Sequence, residues 1–323
     1  MAEPVADSLA EAMANTVADS GDGSATPLVL RRGPLECALS PQCGGSIIRL
    51  LLHRGDLPPL HLLRPAQPHA IDRCQPADLS CHPLVPFSNR IAGGHFTFHG
   101  LAVDLPPNAP FIPDVIHGHG WQTPWTVVDR NDQTASLAFD HGADAWPYPY
   151  RATQRFEITD DSLTITMGMT NTGDVPMPAG LGLHPFFPKP HGTRLTAQLE
   201  SVWLGDDARI PTELVPLPLA WDFPHGITLD DVVIDNNFTG WNGHARIDWP
   251  GMGVGLTVTA TVPFRHAVVY APHNQDYFCF EPVSHMTNAV NRVATGETGT
   301  GFAELAPGET FGGSISFTVE ASN

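Results

Sequence analysis

Residues 162–170 read SLTITMGMT: Leu163, Ile165, Met167 and Met169 alternate with Thr164, Thr166, Gly168 and Thr170. A two-residue period places one set on each side of an extended chain, so the stretch is a strand with one buried face. The same alternation runs through GVGLTVTATV (253–262), with Val254, Leu256, Val258, Ala260 and Val262 on the apolar side. It returns in SISFTVE (314–320) with Ile315, Phe317 and Val319. Between such runs, ITDDSLTI (158–165) and DWPGMGVGL (248–256) place Asp, Pro and Gly where two strands must turn. Outside the N-terminal tail no helical periodicity exceeds two turns. The fold class is all-β: a large antiparallel sandwich or barrel with long loops.

Composition supports this and removes several function classes. The 323 residues include 30 Gly and 32 Pro, while charged residues make up only 15%, which favours turns over charged helix faces. A formal charge of -18 repels phosphate backbones and anionic lipid, so neither nucleic acid nor a membrane is expected as a partner. No run of eighteen apolar residues exists to span a bilayer. The first residues, MAEPVADSLAEAMANTVADSGDGSATP (1–27), lack the features of a secretory signal and read as a disordered acidic tail. Residues 28–323 read as one domain. Five cysteines without a regular spacing fit a reducing, cytoplasmic setting; a Cys74–Cys81 bridge is the one pairing considered.

Nucleotide fingerprints are absent. GLGLHPFF (180–187) fails the dinucleotide pattern because Pro185 stands where the last glycine belongs, and there is no phosphate loop or nucleophile elbow. That stretch nevertheless sets His184 inside an apolar strip, where it is either a core residue or a proton donor. FCFEPVSHMTNAVN (278–291) ends an apolar strand on Glu281, which either faces solvent or is buried as a general base with a raised pKa. In VIHGHGWQTPW (115–125), His117 and His119 share a face if the segment is a strand, and would then wall a pocket or hold a metal; Gly118 and Pro124 allow a loop instead. FSNRIAGGHFTFHG (87–100) offers Asn89 and Arg90, the latter for a polar ligand or for pinning a loop. VIDNNFTGW (233–241) sets Asp235, Asn236 and Asn237 near Trp241, either as sugar-binding groups or as an ordinary turn.

Taken in order, SNRIAGGHFTFHG, IHGHGW, GLGLHPFF, IDNNF and FEPVSHMTNAVN resemble the aldose 1-epimerase (galactose mutarotase) family, over about residues 28–320. The resemblance implies a large antiparallel β-supersandwich, acting as a monomer or homodimer, that interconverts the α and β anomers of a free aldose without metal or other cofactor. Carried over by position, His184 is the general acid and Glu281 the general base. Arg90, His117 and Asp235 bind sugar hydroxyls, with Asn89, His119 and Trp241 as further candidates. One departure stands out: where the family usually reads Leu-His-Gly-Gly, this chain has Ile116-His117-Gly118-His119, so an extra imidazole is available. The chemistry is self-consistent, because ring opening needs only a base at the anomeric hydroxyl and an acid at the ring oxygen, and histidine titrates near neutrality. Two alternatives share the fold: a hexose-6-phosphate mutarotase, for which Arg64 and Arg73 are the available cations, and a non-catalytic sugar-binding protein. A glycoside hydrolase using Asp235 and Glu281 as its carboxylate pair would leave His184 without a task.

Overall fold

The computed structural model describes residues 27–110 and 112–321. The expected N-terminal tail, apart from Pro27, lies outside the described residues. Among the described residues, two large antiparallel sheets of eleven and nine strands dominate the β-supersandwich, and the two α-helices, Pro68–Arg73 and Ala289–Ala294, are six residues each. The strand Ser162–Asn171 sits inside the nine-stranded sheet, between Tyr150–Ile158 and Thr310–Ala321. Leu163, Ile165, Met167 and Met169 are buried. On the opposite face its threonines pair with the last strand: Thr164 with Ser316 at 2.8 Å, Thr166 with Ser314 at 2.9 Å and Thr170 with Thr310 at 2.8 Å. Such cross-strand pairs fix register as well as adding stability.

One alternation stops short of its expected length. The strand Val254–Ala260 buries Leu256 and Val258, but Val262 lies beyond its end and is 67% exposed. The chain there turns toward the Phe264–Arg265 segment, with Phe264 N donating to Thr261 O at 3.0 Å. The five cysteines are free thiols, so the Cys74–Cys81 bridge does not form.

The eleven-stranded sheet carries the site. Two of its neighbouring strands, Gly182–Pro188 and Tyr277–Val283, are largely buried on both sides for different reasons. Phe187, Phe278 and Phe280 point into the core between the sheets, where the Phe187 ring meets Phe317 of the other sheet at 6.0 Å. The alternate residues His184, Phe186, Tyr277 and Glu281 face a cavity on the other side. A strand period of two thus separates core from site residue by residue.

Candidate active site

The cavity holds about 700 Å³, toward the upper part of the range for small-molecule sites. Its floor is one continuous row of the sheet. His82 of the strand Cys81–Leu84 pairs with His184, and Val268 of His266–Ala271 pairs with Glu281 on the far side of the next strand. Val268 in turn pairs with Asn237, and Asn237 with Trp203. All of these side chains line the cavity, because residues at one register position of adjacent strands share a face.

His184 and Glu281 meet at its centre, with Nε2 to Oε1 at 3.3 Å, and are 12% and 2% exposed. The His184 ring is sandwiched, stacked on His82 and on Phe186 at 4.6 Å each. Burial lowers the His184 pKa to about 3, and the Arg64 guanidinium acts in the same direction. Burial, then the nearby Asp235 charge, pushes the Glu281 carboxyl well above the carboxylate range. These are facets of one coupled, buried pair: both shifts favour a neutral imidazole beside a neutral carboxyl. Along the row, Glu281 Oε2, His184 Nδ1, both nitrogens of His82 and both polar atoms of the Asn237 amide are buried without a hydrogen-bond partner. Buried polar atoms are normally satisfied, so this concentration marks where a polar ligand belongs.

The structure brings Asn89, Arg90, His117, His184, Asp235 and Glu281 to the cavity wall. Arg90 does both things the sequence allowed: Nη1 lies 3.3 Å from Asp114 Oδ2, while the side chain lines the cavity. The Asn89 side chain is committed locally, accepting from Arg90 N at 2.9 Å. Asp235 sits on the strand Ile234–Thr239, in a sheet and not in a turn, and pairs with Arg209 Nε at 3.1 Å. Burial raises its pKa, against the opposing pull of Arg209 and Arg90.

Two candidates fall away. The strand holding Val115–Ile116 ends before His117, whose φ is 62°, and Gly118 follows at 69°. With successive left-handed residues the two imidazoles no longer share a face. His117 turns to the cavity and His119 away from it, bonding the Tyr150 hydroxyl through Nε2 at 2.7 Å and packing on His141. Glycine is required at 118, since a Cβ there would lie 2.1 Å from Val85 O. Trp241 is fully buried, with Nε1 donating to His244 O at 2.9 Å and its ring against Phe280, so it belongs to the core. The tryptophans that do line the cavity are Trp121 and Trp203. His82, Asn237 and Arg209 also line the cavity. His82 had one sequence signal: His82-Pro83 repeats the His184-Pro185 dipeptide.

Two side-chain groups have metal-like spacing: His82, His117 and His184, and His184, Cys279 and Glu281. Neither chemistry fits a preformed centre. His117 Nδ1 accepts the Asn89 N–H at 3.1 Å, so the neutral ring carries its proton on Nε2 and presents a donor where a metal needs a lone pair. Burial holds the Cys279 thiol well above its ordinary pKa, away from the thiolate that binds metal.

A β-supersandwich with a buried imidazole–carboxyl pair in the floor of a sheet-lined cavity is the arrangement to compare with known proteins. The aldose 1-epimerase family model matches residues 28–318, and the chain belongs to that family. It is 34% identical over 267 residues to the uncharacterised protein YphB of Escherichia coli K12, covering 80% of this chain and 89% of that one. The aldose 1-epimerase of the same organism is 31% identical over 106 residues, 31% of this chain and 30% of that protein. A solved Escherichia coli K12 structure, itself only provisionally assigned as an aldose 1-epimerase, superposes with a TM-score of 0.82 at 34% identity, covering 92% of this chain and 99% of that one. A galactose mutarotase-like protein from Clostridium acetobutylicum shares the fold, with a TM-score of 0.77 at 20% identity over 91% of this chain and 95% of the other. Among the described residues, no helix is long and apolar enough to cross a membrane.

Proposed function

We propose that this protein is an aldose 1-epimerase that interconverts the anomers of a free aldose such as galactose or glucose. The observation that carries this reading is the buried contact of His184 Nε2 with Glu281 Oε1 at 3.3 Å, at the centre of a cavity floor rich in unpartnered polar atoms. The Glu281 carboxylate removes the anomeric hydroxyl proton, O1 becomes a carbonyl oxygen, and the bond from C1 to the ring oxygen breaks as His184 protonates that oxygen. Rotation about C1–C2 presents the other carbonyl face. The hydroxyl then adds back, returning its proton to His184 while Glu281 protonates O1.

The proton that imidazolium delivers is one that burial keeps on the Glu281 carboxyl. Moving it from oxygen to nitrogen forms the reactive ion pair without any exchange with solvent, and the pair stays neutral overall, as burial of both groups favours. Sugar hydroxyls donating to the Glu281 carboxyl favour its carboxylate form. His117, with its Nε2–H, together with Arg90 and Asp235, supplies donors and acceptors for the remaining hydroxyls.

A hexose 6-phosphate is a second reading, favoured by one observation. Arg90 and Arg209 are each paired with a carboxylate, whereas Arg64 lines the cavity with Nη2 bonded to the Ala77 and Leu79 carbonyls and its guanidinium over Phe186 and Tyr277. Arg73, the other cation considered, is on the helix Pro68–Arg73 and does not line the cavity. Polarimetry of freshly dissolved α-anomers decides between them. Acceleration on free galactose or glucose supports the proposal, acceleration confined to glucose 6-phosphate selects the second reading, and none on any aldose leaves a binding protein.

A further inference from the structure

His82 is assigned no part in the reaction above, yet it is the most conspicuous side chain of the cavity floor. It is 2% exposed, it lines the cavity, and neither ring nitrogen has a hydrogen-bond partner. Its ring stacks on His184 at 4.6 Å with 26° between planes, and Trp121 and His117 lie 5.1 and 5.8 Å away. A histidine kept only to pack against His184 would need no nitrogens, and burying two without partners is costly.

The sheet register states where that ring lies. Across three adjacent strands the order is His82, His184, Glu281, at the usual strand spacing of about 4.8 Å. On the function proposed above, on which this inference rests, Glu281 serves O1 and His184 the ring oxygen. In an aldopyranose the path from O1 through C1 and the ring oxygen leads next to C5. His82 is displaced from His184 in that same direction, away from Glu281. We propose that His82 is a substrate-binding residue that hydrogen-bonds the hydroxymethyl group on C5, so that the site distinguishes aldohexoses from the matching aldopentoses.

The protonation state agrees with that ligand. Burial, and then the neighbouring His184 and His117, keep the His82 pKa well below its usual value, so the ring is neutral at pH 7. A neutral imidazole offers one donor and one acceptor, which matches a hydroxyl. It offers no charge to a carboxylate at the same carbon, so a uronic acid gains nothing there.

The test pairs a side-chain change with a substrate change. D-xylose is D-glucose without the C5 hydroxymethyl group. His82→Phe keeps a flat ring against His184 and removes both nitrogens, while His82→Gln restores a donor and an acceptor. For mutarotation, kcat/KM of His82→Phe is expected to fall about tenfold more on D-glucose than on D-xylose, mainly through KM, with partial recovery in His82→Gln. An equal fall on both sugars makes His82 a support for His184 and overturns the proposal, as does no fall on either. If His82→Phe fails to fold, the wild-type complex with D-glucose decides: a His82 nitrogen within hydrogen-bond distance of O6 supports the proposal, and O6 elsewhere overturns it. If the wild type accelerates neither sugar, the function reading fails by itself. Calorimetric titration of D-glucose against D-xylose then tests His82 alone: a preference for glucose that His82→Phe abolishes supports it, and equal or absent binding overturns it.

Discussion

Replacing Glu281 by glutamine separates catalysis from stability in opposite directions. The substitution keeps the size and the polar atoms of the side chain but removes its capacity to take a proton. A positioned general base contributes about 10²–10⁴-fold, so kcat falls by that factor, equivalent to about 3–5 kcal/mol of barrier. Stability moves the other way. The Glu281 pKa is raised in the folded protein, by burial first and by Asp235 second, so folding favours the protonated form. The stability contributed is present below the ordinary carboxyl pKa of 4.5 and is lost as pH rises through the folded value, because a buried charge must then form. Glutamine never forms that charge. The Tm of Glu281→Gln relative to wild type therefore rises as pH climbs above 4.5. Polarimetry on α-D-galactose and thermal unfolding followed by circular dichroism measure the two effects. Turnover within tenfold of wild type refutes the base assignment, and a Tm difference that is flat or falls with pH refutes the buried-carboxyl argument.

His184→Asn lowers kcat by about 10²–10⁴-fold while circular dichroism shows a folded protein, and near-native turnover sinks its role as the acid. Acid should destabilise the protein through the same cavity. Burial depresses the pKa of His184 from 6.5 to about 3 and lowers those of His82 and His117, so the stability they contribute is complete above pH 6.5 and falls as pH drops toward 3. Urea midpoints across that range should decline more gently in His184→Asn than in wild type, and parallel curves count against the claim. His119→Phe leaves the buried Tyr150 hydroxyl without its partner, which costs about 1–3 kcal/mol in urea unfolding and leaves KM for the aldose unchanged. A raised KM there would return His119 to the binding site.

Much of the fold could be read along the chain because the decisive signals are local. The two-residue period of Leu163, Ile165, Met167 and Met169 is the burial pattern of the strand they form. Val262 shows the limit: alternation continues in the letters past Ala260, but the chain leaves the sheet, and periodicity does not contain the pairing that ends a strand. The His117–His119 pair shows it again, since which way two imidazoles point depended on whether Gly118 bends the chain. Trp241 was placed by proximity to Asp235, yet six residues of chain carry it off the strand that holds Asp235 and into the core. The Asp-Asn-Asn letters fit a sugar site or an ordinary turn, whereas Asn237 lies on a strand and lines the cavity.

Apart from its His-Pro dipeptide, His82 carries no sign in the sequence of its place beside His184, and the reason is deeper. His82, His184 and Glu281 lie far apart in sequence, and what joins them is register, a property of the sheet. Gly182 opposes Leu84 on one neighbouring strand and Val283 on the other, so a single alignment carries both His82 and Glu281 to His184. A one-residue slip on either side would turn the partner into the apolar core. The phenylalanines that alternate with the site residues, Phe187, Phe278 and Phe280, prevent that slip because each fills the space between the sheets. The apolar neighbours of His184 and Glu281 in the sequence are thus more than insulation. By locking the register, they bring the proposed acid, the proposed base and a third polar ring into one line, and the spacing of strands sets the spacing of the three.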